Sequence, residues 1–169
     1  MATPMTANHM QQAVDRSALR AELETTRDTF RAMVGALSDE QWHRKSQGSA
    51  WTVCEVMVHL TWALEQLPKE IASARQGKGM FNYPGPVSDV VSYWMARWMA
   101  RKMTRQTIIH QYEAAMAAVL ATLDSVDEHD WALGAQFYGH GFYSIESLFH
   151  TPAQHLVEHT AGLSARQYR

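Results

Sequence analysis

Apolar residues in this chain recur at three- and four-residue steps, and no run of note alternates in steps of two. That period belongs to amphipathic helices and argues against a sheet-built core. The first stripe is Leu19, Leu23, Thr26, Phe30, Met33 and Leu37, with Arg20, Glu24, Arg27 and Arg31 around the other faces. Ser38 to Trp42 breaks the pattern and has room for a short helical turn, and Lys45 to Ala50 is small and polar, a loop. The second stripe, Val53, Val56, Met57, Leu60, Leu64, Leu67 and Ile71, opens on Thr52-Val53-Cys54-Glu55, a capping box, and ends at Gly77 and Gly79. Pro68 inside it is expected to kink the helix or lift its last turns away.

Met80 to Pro86 reads as a turn-rich crossover. Ser88 then caps a segment with Val90, Val91, Trp94, Trp98 and Met103 at helical spacing, read as core packing with Arg97, Arg101 and Lys102 snorkelling outward. Thr104 caps the next stripe, Ile108, Tyr112, Ala115, Met116, Val119 and Leu123; one unbroken helix from Ser88 to Leu123 is the alternative. Asp127 to Gly141 is a connection, and Ser144 caps a short turn through Phe149. A last helix starts at Thr151-Pro152-Ala153-Gln154 and runs to about Arg166. The expected architecture is all-α: a four-helix bundle with a long crossover between its second and third helices and short extra helices. Residues 1–13 read as a flexible tail and 14–169 as a single domain.

Composition narrows the partners. A net charge of −2 with interspersed signs leaves no electrostatic footprint for nucleic acid. No apolar run approaches a membrane span, and residues 1–12 lack the basic start and apolar core of a secretory signal. The lone Cys54 rules out an intrachain disulfide and suits a reducing compartment, so a cytoplasmic setting is expected.

Chemistry concentrates in the histidines. His155 and His159 stand four apart on the last helix, one turn above the other, so both imidazoles can reach one ion. The pair also fits a helix with two hydrogen-bonded histidines. His59 lies within a turn of Val56 and Leu60, facing the core or its edge, where it too could be bonded to a neighbour. His140 sits between Gly139 and Gly141 and is a candidate acid or base, the alternative being a solvated loop histidine. His150 is out of phase with His155 and reads as pocket wall or solvent-facing. Cys54 near a helix start is open to two readings, a thiol of lowered pKa or a buried inert one.

The stretch Trp51-Thr-Val-Cys-Glu-Val-Met-Val-His59-Leu60, followed far downstream by His155-x-x-x-His159, resembles the DinB/YfiT-like superfamily of metal-binding helical bundles. The resemblance implies an up-down-down-up bundle with His59, His155 and His159 as three metal ligands. Such a set leaves positions open for water or substrate, as catalytic zinc sites do, and imidazole also suits nickel, iron and manganese. Glu55 and Glu158 are the nearby carboxylates, read first as exposed or capping groups and otherwise as candidates to accept the ligands' other N–H groups. The implied function is a metal-dependent enzyme, a thiol-dependent transferase or isomerase or a hydrolase. It would activate a low-molecular-weight thiol or water against an electrophilic small molecule in a pocket around Trp62, Tyr83 and the His140 loop. The alternative is a non-catalytic stress-response or small-molecule-binding bundle with a structural or vacant metal site. Beyond a small-molecule substrate, a homodimer is left open. Trp51, just before the Thr52 cap, is expected to be a packing residue stapled to Val56.

Overall fold

The computed structural model describes residues 13–47, 50–80, 85–137 and 141–161. Its elements are α1 (Arg16–Ala36), α2 (Asp39–His43), α3 (Val53–Ala74), α4 (Gly85–Ala100), α5 (Arg105–Asp124), β1 (Gly134–Phe137), β2 (Gly141–Ser144) and α6 (Ile145–Thr160). The long helices α1, α5, α3 and α6 pack in a ring, each against the next, which is a four-helix bundle. Every residue of the expected stripes of α3 and α5 is buried, as are Leu19, Leu23, Thr26 and Phe30 of α1. The Phe30 and Tyr112 rings stack with centroids 3.7 Å apart, joining α1 to α5.

The caps are those the local sequence requires. Thr52 Oγ1 accepts from the Glu55 amide, and the Glu55 carboxylate accepts from the Thr52 amide at 2.7 Å. The same carboxylate meets Arg97 Nε at 3.3 Å, which ties α4 to the start of α3. Ser38 and Gln41 form a second capping box for α2, whose Trp42 is buried.

Four expectations are corrected. Pro68 does not lift the end of α3, since Leu67, Ile71 and Ala74 around and beyond it are buried. The segment 88–123 falls into two helices with Thr104 capping α5, as expected, but α4 runs from Gly85 to Ala100 and so does not start at a Ser88 cap. The Val90, Val91, Trp94 and Trp98 stripe is not core: the two tryptophans are 63% and 70% exposed. The reason is position, because α4 lies outside the ring against α3 and buries Ala96 instead. The last helix starts at the Ser144 cap rather than at Thr151, and Pro152 is inside it. A proline there cannot donate to the Leu148 carbonyl one turn back. The Thr151 hydroxyl donates to that carbonyl instead, at 2.7 Å, and the helix continues. Its expected end near Arg166 lies outside the described residues, as do His9, Tyr83 and His140.

One element had no sequence counterpart. Within the 127–141 connection and just beyond it, β1 and β2 pair antiparallel, Gly134 opposite Ser144. Gly134 suits that register, since a Cβ there would run into the Tyr143 carbonyl and Ser144 Cα. No helix among the described residues is long and apolar enough to cross a membrane.

Candidate metal centre

The contact between α3 and α6 brings His59, His155 and His159 together, each supplying one ring nitrogen, all within 4.8 Å of one another. The His59 and His155 Nε2 atoms are 3.1 Å apart. Two nitrogens bound at ~2.0–2.1 Å to one tetrahedral ion stand about 3.4 Å apart, so the His59 and His155 pair is close to the spacing a zinc-like ion needs, and the 4.8 Å span of the full set has to contract to reach it. The rings meet edge to face, at interplanar angles of 82°, 71° and 64°.

Burial, with the neighbouring imidazoles in support, pushes the pKa of His59 down to about 3. His155 is pushed down to about 4 by burial and then by His159. His159 is also lowered by burial, against the opposing pull of Glu158. At neutral pH all three rings are therefore uncharged, the form in which imidazole is a ligand. Glu55 belongs to the Thr52 cap and Arg97, and the buried Nδ1 of His59 has no hydrogen-bond partner among the described residues. Neither Glu55 nor Glu158 is seen bonded to one of the three histidines among the described residues.

Trp51 is partly buried against the core, its ring centroid 4.8 Å from that of His59 and 5.9 Å from that of His159. It is a packing residue, and two of the imidazoles are among the rings it packs against. Cys54 is buried, and desolvation raises its thiol to about 11, which removes it as a nucleophile at neutral pH. His150 is neither ligand nor pocket wall: its Nδ1 lies 2.8 Å from Glu22 Oε2, linking α6 to α1. Nothing local to either residue could have signalled that pair, which is separated by 128 positions.

His59 and His155 open onto a cavity of about 340 Å³. Its walls include Leu64 and Leu67 of α3, Tyr112 of α5, and Phe137 and Tyr143 from the hairpin. Trp62 lines it as expected. Glu70 also lines it and was not anticipated, although its helical phase, three turns beyond His59, was legible. Burial raises the Glu70 carboxyl from 4.5 to about 7. The folded chain therefore holds this proton more tightly than the unfolded chain. The stability linked to it is complete below pH 4.5 and is lost as pH rises through about 7. Glu70→Gln is accordingly expected to match the wild type in urea unfolding near pH 4.5 and to exceed it above about pH 7. An unchanged difference between the two proteins at both pH values would refute this.

Residues 22–162 match the family model described as the DinB superfamily. Two solved structures similar to this one are the mycothiol-dependent maleylpyruvate isomerase and a histidine-to-alanine mutant of it. Each aligns with a TM-score of 0.70 at 10% identity, over 90% of this chain and 62% of the isomerase chain. At that identity the likeness is one of fold, and the chain spans less than two thirds of the isomerase. No curated protein matches the sequence.

Proposed function

Since the chain belongs to the DinB superfamily, we propose that His59, His155 and His159 hold one divalent metal ion beside a substrate cavity. A small electrophilic molecule is bound there and attacked by a thiol or by water. The carrying observation is that three neutral imidazoles converge to within 4.8 Å, two of them in the wall of a cavity of about 340 Å³. When bound, the ion supplies Lewis acidity, which brings the pKa of a thiol or water toward neutrality.

The chain's own residues supply the rest. Burial keeps His59 and His155 unprotonated, with lone pairs available at neutral pH. Trp51 packs on His59 and His159 and fixes their ring directions. Leu64, Leu67 and Phe137 give the cavity apolar walls that exclude water from an electrophile. Glu70 lines the same cavity about 16 Å along α3 from His59, where burial raises its pKa to about 7. A thiol cosubstrate is favoured over water by the name of the similar structures, a mycothiol-dependent enzyme.

The test begins with calorimetric titration of tag-free protein with zinc, nickel, manganese and ferrous ions. It continues with thiol conjugation to 1-chloro-2,4-dinitrobenzene and hydrolysis of p-nitrophenyl acetate. One ion per chain and chelator-sensitive turnover are expected. Failure of every ion to bind would end the metal reading. Binding without turnover of either substrate would favour the non-catalytic bundle.

A further inference from the structure

We propose that the cavity is built for a small organic cation, an amine or quaternary ammonium compound, whose charged end pairs with the Glu70 carboxylate while its other end reaches toward His59 and His155. The inference rests on reading this cavity as the substrate pocket.

Glu70 follows His59 by three helical turns on α3, so the two share a face and stand about 16 Å apart along the axis. Both line one cavity, as do Leu60, Leu64 and Leu67 between them. Along α3 the cavity wall therefore carries a polar group at His59 and another at Glu70, with Leu60, Leu64 and Leu67 between them. Among the described residues lining it, Glu70 is the sole carboxylate, and no lysine or arginine is present. The adjacent Lys69 is no counter-ion, because its ammonium donates to Gln66 at 3.2 Å and its field acts on Glu65. Glu70 makes no hydrogen bond or ion pair among the described residues, and burial alone accounts for its raised pKa.

A half-buried carboxyl without a protein partner is costly to ionise, and a ligand that brings a positive charge removes that cost. An anionic ligand would meet repulsion there, and a neutral apolar one would leave the carboxyl unpaired. The walls point the same way. Trp62, Tyr112, Phe137 and Tyr143 line the cavity, and aromatic rings attract a desolvated cation.

The test compares three probes of one shape, 4-phenylbutylamine, 4-phenyl-1-butanol and 4-phenylbutyrate. They are titrated calorimetrically near neutral pH into the full chain, once zinc-saturated and once chelator-treated. The amine is expected to bind the wild type at least about tenfold more tightly than either alternative. In Glu70→Gln and Glu70→Leu that preference should shrink to about twofold or less, with zinc stoichiometry unchanged. Thermal unfolding confirms that each variant is folded, and either folded variant suffices. An amine that binds no better than the alcohol, or a preference that survives loss of the carboxylate, overturns the inference. Zinc that binds normally beside such a result leaves the metal reading intact. An amine preference without zinc binding sinks the metal reading and not this one.

Discussion

Alanine at position 155 is expected to weaken zinc binding by on the order of 100-fold or more while leaving the helical circular dichroism unchanged. Structural zinc sites gain roughly 10–16 kcal/mol from their whole ligand set, so losing one imidazole of three removes about 3 kcal/mol or more. The remaining pair, His59 and His159, sit on different helices, with ring centroids 5.0 Å apart. The fold has little stake in the residue. α6 is anchored by Ile145, Leu148, Phe149 and Leu156, all buried. His155 contributes an uncharged ring in contact with the other two imidazoles, His59 and His159. In metal-free buffer the unfolding temperature should move by only a few degrees. If His155→Ala instead unfolds at ambient temperature, the histidines are a structural cluster and the catalytic reading loses its basis.

The largest stability effect is expected at Phe149. This ring is fully buried and meets Trp131 edge to face, with centroids 6.0 Å apart. Trp131 in turn lies 5.2 Å beneath the Arg16 guanidinium at the start of α1. Phe149 therefore fastens the first half of α6 to the connection after α5, and through it to α1. Phe149→Ala should cost about 3–5 kcal/mol through lost burial and the cavity left behind. At roughly 2–4 °C per kcal/mol for a chain of this size, the melting temperature should fall by about 6–20 °C. Zinc affinity should fall with it, because His155 and His159 ride on the same helix. A loss under about 1 kcal/mol would mean that the site collapses around the missing ring and that α6 is held elsewhere.

What the sequence made legible was local. Thr52 and Glu55 are three residues apart, and their reciprocal bonds follow from that spacing alone. The stripes of α3 and α5 were readable because each residue's neighbours on the helix share its burial. The same periodicity misled at α4. Spacing identifies an apolar face but not what covers it, and Trp94 and Trp98 face outward. The hairpin was invisible because each strand has four residues, too few to show alternation, with Ala135 the buried residue of β1. At the start of α6 two good cap signals competed. Ser144 prevails because Thr151 bonds backward to Leu148 rather than forward. The His155 and His159 pair was legible from its spacing, whereas His59, 96 positions before His155, joined it through family resemblance. Glu70 was overlooked because a carboxylate inside an amphipathic stripe reads as a solvated flank until the cavity beside it is seen.

The division of the three histidines between two helices gives the cluster an unequal stiffness. The gap between His155 and His159 is one turn of a single helix, and backbone hydrogen bonds fix it. The two gaps to His59 cross between α3 and α6 and depend on how those helices pack. The arrangement is a vice with one solid jaw and one sliding jaw. Whatever changes the seating of α3 against α6, from a core substitution to a ligand wedged beside Leu60 and Leu148, acts on the three-nitrogen cluster through the position of one ring, that of His59.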